Sequence, residues 1–203
     1  MARRAVEQEL SRERILEAAR HLFVTKGYRA ISMRSIGQHL GYSHGSLYYH
    51  FKEKAELFYA IVVEDFNNLA VQLKKVIKAS PVQDLTKVEQ LMLEFIRFGL
   101  DHPYQYEIMF MIRDEELLSY CRTEQGRCLE LFASIVRRYM NEEKHGQDFC
   151  RNLPLTLFLS MHGFISYYIQ DRVTFEEVKP AALAHVKNML RMLAVAMVWP
   201  SEI

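Results

Sequence analysis

The chain has no run of about 18 or more apolar residues, so no membrane-spanning helix is expected. Its opening, MARRAVEQEL, turns polar at once and lacks the apolar core of a secretory signal. Cysteine is scarce and odd in number: Cys121, Cys128 and Cys150, with no C-x-x-C spacing. That pattern argues against a disulfide framework and a structural zinc site, and it points to a reducing cytoplasm. The chain also lacks a metal-spaced His/Asp/Glu cluster, a P-loop and paired catalytic carboxylates. No metal, no cofactor and no enzymatic activity are therefore expected. Alternation of period two, internal repeats and low-complexity tracts are absent as well, which removes the usual signals for a β-fold.

Helical signals remain, in a chain of 203 residues of which half are hydrophobic, enough for a sizeable core. Ile15, Ala18, Ala19, Leu22 and Phe23 recur on one helical face, opened by Ser11 and closed by Gly27. A second helix is predicted over Met33–Leu40, capped by Ser32 and stopped by Gly41, and a third from a Ser43 cap to about His50. The fourth runs over about 54–79, with Leu57, Ile61, Leu69, Leu73, Val76 and Ile77 as its apolar stripe, and Ser80-Pro81 ends it. Further helices are predicted over about 85–100, from His102-Pro103 to 111, and over 115–143, followed by a surface loop at 141–146. The last two span about 153–170 and 176–198, and LTLFLSMHGFISYYI in the first of them is apolar almost all round, as for a helix buried on several sides. The class is all-α, with about nine helices.

Charge divides the chain. Residues 1–54 hold ten Lys/Arg and five Asp/Glu, a net of +5; residues 55–203 hold sixteen and twenty, a net of −4. A basic head on an acidic body suggests that only the head meets a polyanion. The stretch SMRSIGQHLGYSHGSLYYHFKEK, from Ser32 to Lys54, has the layout of a helix-turn-helix, whose second helix enters the major groove. Caps at Ser32 and Ser43 offer free backbone N–H groups to phosphates. Gly45 allows close approach of the backbone to the groove. His44, Ser46 and Tyr49 lie on the exposed side of the short helix, within reach of base edges. Leu47 and Phe51 anchor that helix to the core. Tyr48 and Tyr49 also suit ordinary packing, but adjacent helical residues point about 100° apart and both cannot be buried. Arg3, Arg4, Arg12 and Arg14 are either further phosphate or minor-groove contacts or a solvated arm. GYSHG (41–45) matches the G-x-S-x-G nucleophile elbow, but that elbow follows a strand, and here a helix precedes it.

Residues 10–57 closely resemble the N-terminal DNA-binding domain of the TetR family of bacterial transcriptional regulators. The resemblance is carried by ILEAARHLFVTKGY, the Ser32-capped helix with Ile36, and the run Gly41-x-Ser43-x-Gly45-Ser46-Leu47-Tyr48-x-His50-Phe51-x-x-Lys54. Beyond residue 57 it is one of layout, with MFMIRD (109–114) and SMHGFIS (160–166) as weaker echoes. Gly37 and Leu40 depart from the family's usual alanine and small residue, which bears on helix packing. The resemblance implies that Tyr48, His50 and Lys54 hold phosphates, completing a DNA-binding set of Ser32, Arg34, Ser43, His44, Gly45, Ser46, Tyr48, Tyr49, His50 and Lys54. It also implies a helix-turn-helix domain over 1–54 and an effector-binding and dimerisation domain over 55–203.

Eight of ten methionines and eight of twelve phenylalanines follow residue 90, a composition suited to an apolar ligand or to an ordinary core. The resemblance implies a pocket among the middle helices. Its candidate lining is Phe95, Phe98, Tyr106, Phe110, Phe132, Phe158, Met161, His162 and Ile165, although a histidine placed like His162 is more often a satisfied core histidine than a ligand contact. Homodimerisation is expected through the last two helices. Ser160, Gly163 and Ser166 would form one close face, and Ala181, Ala182, His185, Val186, Met189, Leu193 and Met197 a second stripe. The expected function is a cytoplasmic regulator, most often a repressor in this family. It would bind double-stranded palindromic operator DNA as a dimer and be released by a small apolar effector. The alternative is a DNA-binding regulator whose C-terminal part serves only dimerisation or protein docking.

Overall fold

The computed structural model describes residues 10–79, 85–138 and 146–196. Among these residues there is no strand, and nine α-helices account for the fold. They are α1 (Arg12–Lys26), α2 (Met33–Leu40), α3 (His44–His50), α4 (Lys54–Ala79), α5 (Leu85–Asp101), α6 (Pro103–Tyr106), α7 (Glu115–Arg137), α8 (Gln147–Tyr168) and α9 (Phe175–Ala196).

The first three helices begin and end where local chemistry dictates. Ser11 Oγ accepts the Arg14 amide, and Gly27, at φ 83°, closes α1 by donating its N–H to Phe23 O. Ser32 and Ser35 form a reciprocal capping box on α2. Gly41 ends that helix in the left-handed region (φ 78°, ψ 17°), where a side chain is disfavoured. α2 packs on both α1 and α3, and Ile15, Ala19, Ile36 and Leu47 are buried there. Gly37 marks the close approach of α2 to the turn: an added Cβ would lie 3.3 Å from Tyr42 O and 3.4 Å from Leu47 Cδ1. The departure from the family's alanine thus falls on packing.

The long helix α4 belongs to both halves. It packs on α1, where the Phe58 ring lies against Phe23, and on α5 and α7, and its buried Leu57, Phe58, Ile61, Phe66, Leu69 and Leu73 belong to one continuous apolar cluster that runs from Leu10 to Val186. The far end of α4 is held by the buried Lys87, whose ammonium donates to Val76 O at 2.9 Å. α6 continues into a π-helical turn at Glu107–Met111, where one continuous short helix had been expected. Two carbonyls of that turn are taken from α7, Ile108 O by the Cys121 thiol and Met109 O by the Gln125 amide.

Three expectations for the last helices need correction. α8 starts at Gln147, not near Leu153, and carries Pro154 in its interior. An interior proline lacks an N–H and crowds the carbonyl four residues back, at about 3 kcal/mol; burial of Cys150, Leu153, Pro154 and Leu157 holds the helix through it. Nor is α8 buried all round. Leu153, Leu157, Met161 and Ile165 face α5 and α7, while Leu155, Leu159, Gly163 and Tyr167 are exposed every fourth residue on another face. On α9, Ala182 and Val186 are fully buried within the subunit and so leave the expected dimer stripe. Met197, and the expected ends of the seventh helix and of the loop at 141–145, lie outside the described residues.

Candidate nucleic-acid interface

α3 is a seven-residue helix with one buried side chain, Leu47, and Phe51 seals its end against the core. Everything else on it is available. Ser43 caps the N-terminus, accepting the Ser46 amide at 3.3 Å, and the two hydroxyls lie 2.8 Å apart. That pairing fixes Ser46 next to the cap and leaves the His44 and Gly45 amides pointing out of the helix start. Tyr49 is 90% exposed and Tyr48 42% exposed, which settles against packing roles for both. The His44 ring lies against Tyr48 (4.5 Å between centroids) and His50 against Tyr49 (5.5 Å). The result is a wall of four rings along one short helix.

α2 supplies the flanking side. Ser32 is exposed at its N-terminus, and Arg34 and Gln38 are exposed one helical turn apart. Arg34, Gln38, Tyr42, Ser43 and His44 line a groove of about 520 Å³ between α2 and α3. Gln38 and Tyr42 are absent from the sequence-based set; the i, i+4 spacing of Gln38 from Arg34 is the signal that could have found the first. Tyr42 is oriented by Arg14, which donates to its hydroxyl at 3.1 Å. Arg12 lies over the Phe51 ring at 4.3 Å. Lys54 differs from the others: its ammonium donates to Tyr28 O and Ile31 O, at 3.0 and 2.8 Å, and sits 4.0 Å above the Tyr28 ring.

The expected effector residues gather into one aromatic cluster. Phe95, Tyr106, Phe110 and Phe158 pack with centroids 4.9–6.0 Å apart. His162 lies parallel to Phe158 at 6.0 Å, and its Nδ1 is hydrogen-bonded to the Tyr106 hydroxyl at 2.7 Å. Burial holds the imidazole below its ordinary pKa and the phenol well above its own, so both are neutral near pH 7. Met161 and Ile165 are fully buried on the adjoining face of α8, and Phe98 and Phe132 are buried too, Phe98 with its ring 5.1 Å from His102. Gly99 brings α5 close: an added Cβ there would lie 2.8 Å from Ile165 Cδ1 and 3.0 Å from Tyr106 Cδ2.

Between head and body lies a feature no sequence pattern announced. Arg20 of α1 forms a two-pronged ion pair with the fully buried Asp65 of α4, at 2.9 and 2.6 Å, and also reaches Glu64. Gln105 of α6 donates to Asp65 Oδ1 at 3.0 Å. Burial pushes the Asp65 carboxyl up to about 6, against the opposing pull of Arg20. A cleft of about 980 Å³ opens beside this network, lined among others by Arg14, His39, Glu64, Lys75 and Tyr104. Arg29 and Asp114 make a second link from head to body at 2.7 Å. Among the described residues, no group of three or more His, Cys, Asp or Glu side chains could hold a metal, and no helix is long and apolar enough to cross a membrane.

Comparison with known proteins gives two family matches. The model described as "Bacterial regulatory proteins, tetR family" covers residues 15–61, and that described as "Tetracyclin repressor-like, C-terminal domain" covers residues 88–193. An HTH-type transcriptional regulator of Staphylococcus aureus is 33% identical over 124 residues, 61% of this chain and 60% of its own. The HTH-type transcriptional repressor AcnR of Corynebacterium diphtheriae is 30% identical over 101 residues, 50% of this chain and 46% of its own. The alignments thus span between about half and three fifths of these curated relatives. Among solved structures, the transcriptional regulator PfmR of Thermus thermophilus is 26% identical with a TM-score of 0.69, over 91% of this chain and 97% of its own. The fatty acid degradation regulator FadR of Bacillus halodurans, 14% identical, shares the fold at a TM-score of 0.69 over 97% and 100%.

Proposed function

The chain belongs to the TetR family of bacterial regulatory proteins, and on that premise we propose that it is a ligand-responsive transcriptional regulator, acting as a repressor. It binds a palindromic operator as a homodimer and is released by a small, largely apolar effector. The observation that carries the DNA-binding part is Tyr49, a large aromatic side chain 90% exposed on a seven-residue helix whose N-terminus is otherwise small and polar. Nothing among the described residues accounts for a ring left in water there. A groove surface does. Ser32, Arg34, Ser43, Tyr48 and His50 hold phosphates, while His44, Ser46 and Tyr49 face base edges across the glycine gap at Gly45.

The dimer is supported by the open face of α8, where Leu155, Leu159 and Tyr167 leave apolar surface in water, joined by Met192 of α9. The division of labour falls at the start of α4: residues 1–54 read DNA, and residues 55–203 bind effector and pair subunits. For the effector, the Phe95, Tyr106, Phe110 and Phe158 rings supply apolar contact, and the Tyr106–His162 pair supplies one polar handle without a fixed charge. The close mutual packing of those same rings favours a second reading, in which the body is a solid dimerisation or docking module.

The first experiment is fluorescence anisotropy with DNA from upstream of the protein's own gene, against a shuffled duplex, near physiological salt. Specific binding at ~10⁻⁸ M or tighter is the expected result, and equal weak binding to both duplexes counts against the operator reading. Thermal-shift screening with apolar compounds then separates the two readings of the body, because a solid module gains no stability from any of them.

A further inference from the structure

Lys54 occupies a special place in the head. It is the first residue of α4, just past the exit of α3, and its ammonium reaches back to the carbonyls of Tyr28 and Ile31. Ile31 directly precedes Ser32, the cap of α2. The side chain therefore joins the exit of α3 to the entrance of α2. At the opposite end the same two helices are joined by the turn, where Tyr42 N–H donates to Gly37 O at 2.9 Å. The helix pair is tied at both ends.

The chemistry of the tie is specific. Two of the three ammonium N–H groups are spent on carbonyl oxygens, and Tyr28 O also accepts the Ile31 amide at 3.2 Å, so both of its lone pairs are used. The face of the Tyr28 ring packs against the charge. The group is half-buried, and desolvation draws its pKa below the ordinary lysine value. Tyr28 is itself fixed, with its ring 5.1 Å from Phe23 and 5.3 Å from Phe58. Two of its three donors are thus turned inward to protein carbonyls, and at most one remains for a phosphate.

We propose that Lys54 is a positioning residue for operator recognition. It sets the angle between α2 and α3, and hence the register between phosphate contacts at Ser32 and base contacts along α3, without neutralising a phosphate itself. This rests on the DNA-binding reading given above.

The test uses the full chain with Lys54→Met, which keeps the stem against Tyr28 and removes the ammonium, and Lys54→Arg, which keeps the charge. Two measurements are made. The first is amide hydrogen exchange, which needs no DNA: in Lys54→Met, protection falls across 32–40 while α5 is unchanged. Unaltered protection at 32–40 overturns the proposal. The second is binding to operator and shuffled duplexes at several salt concentrations. The expected result is an operator affinity lowered roughly tenfold or more, the worth of about one charge-assisted hydrogen bond, with shuffled-duplex affinity and salt slope unchanged and no rescue by arginine. Loss on both duplexes alike, with a slope reduced by ~0.9 and restored by arginine, identifies a phosphate ligand and overturns the proposal. Wild-type protein that does not distinguish the duplexes overturns the regulator reading instead, and hydrogen exchange still decides the role of Lys54 in holding α2.

Discussion

Gln105 and Tyr106 are consecutive residues that face different partners: the Gln105 amide donates to Asp65 at 3.0 Å, and the Tyr106 hydroxyl is bonded to His162 at 2.7 Å. One peptide unit thus joins the ion pair that anchors α1 to the aromatic cluster of the body. On the proposed function, a ligand that displaced the Tyr106 ring would move the Gln105 amide with it, and Asp65 would lose one of the donors that satisfy its buried charge. In a site this buried, a lost donor is costly.

Tyr106→Phe should cost about 1–3 kcal/mol of stability, because His162 Nδ1 is left without its partner. Adding His162→Leu removes the orphaned group, so the double variant should lose less than the two single losses combined. Urea unfolding of all four proteins measures this coupling. Strict additivity would mean that the pair does not interact.

Asp65 should give stability an unusual pH dependence. Its folded-state pKa is about 6, raised by burial from 3.8, so the folded protein holds this proton more tightly than the unfolded chain. The contribution is present below pH 4 and is lost as pH rises through 6, by roughly 3 kcal/mol at most. Subtracting the Asp65→Asn profile from that of the wild type isolates it. His162 works in the other direction: its pKa is lowered by burial, so its contribution is present above the ordinary histidine value and is lost as pH falls below it. A wild-type advantage over Asp65→Asn that grows from pH 4 to 7 would show that the attraction of Arg20 outweighs burial.

Two helical glycines separate subunit pairing from helix propensity. An added methyl at Gly126 or Gly163 meets nothing within 4 Å in the single chain. Each alanine substitution should therefore raise subunit stability by about 0.5–1 kcal/mol. Gly163 lies between Leu159 and Tyr167 on the open face of α8, so Gly163→Ala alone should weaken dimerisation in sedimentation equilibrium. Equal behaviour of the two variants would move the interface off this face.

On α3 the roles divide by contact type. Tyr49→Ala should abolish operator preference while shifting the melting temperature little, since its ring is exposed and packs on little but His50. Tyr48→Phe should weaken binding to every duplex by a similar factor. His44→Ala and Ser46→Ala should change which bases are preferred, by up to ~1–3 kcal/mol at the affected positions. A base-by-base binding profile for each variant tests the division.

The head was legible in the sequence because its signals are local. Ser11, Ser32 and Ser43 as caps, with Gly27 and Gly41 as stops, act within four residues of themselves, and each does what its type requires. Periodicity located the buried faces but not their partners. Ala182 and Val186 lie on a regular stripe, yet they pack inside their own subunit. The helix predicted from about 153 begins at Gln147, because the backbone penalty of Pro154 is local, whereas the packing that overrides it is not. Arg20 and Asp65 are 45 residues apart, and Tyr106 and His162 are 56 apart. No spacing rule joins such pairs. The resemblance gave Lys54 a phosphate to hold, and its bonds to backbone carbonyls carry no sequence signature.

The shared helix α4 sets a rule for anyone who would retarget this protein by transplanting its reading head. A graft cut at residue 54 would strip Leu57, Phe58 and Ile61 from the side chains they cover and leave Arg20 facing a stranger's residue in place of Asp65. A working chimera must carry the donor's α4 at least through Phe66, together with a match for Gln105. For recombination, the unit of inheritance is larger than the unit that touches DNA.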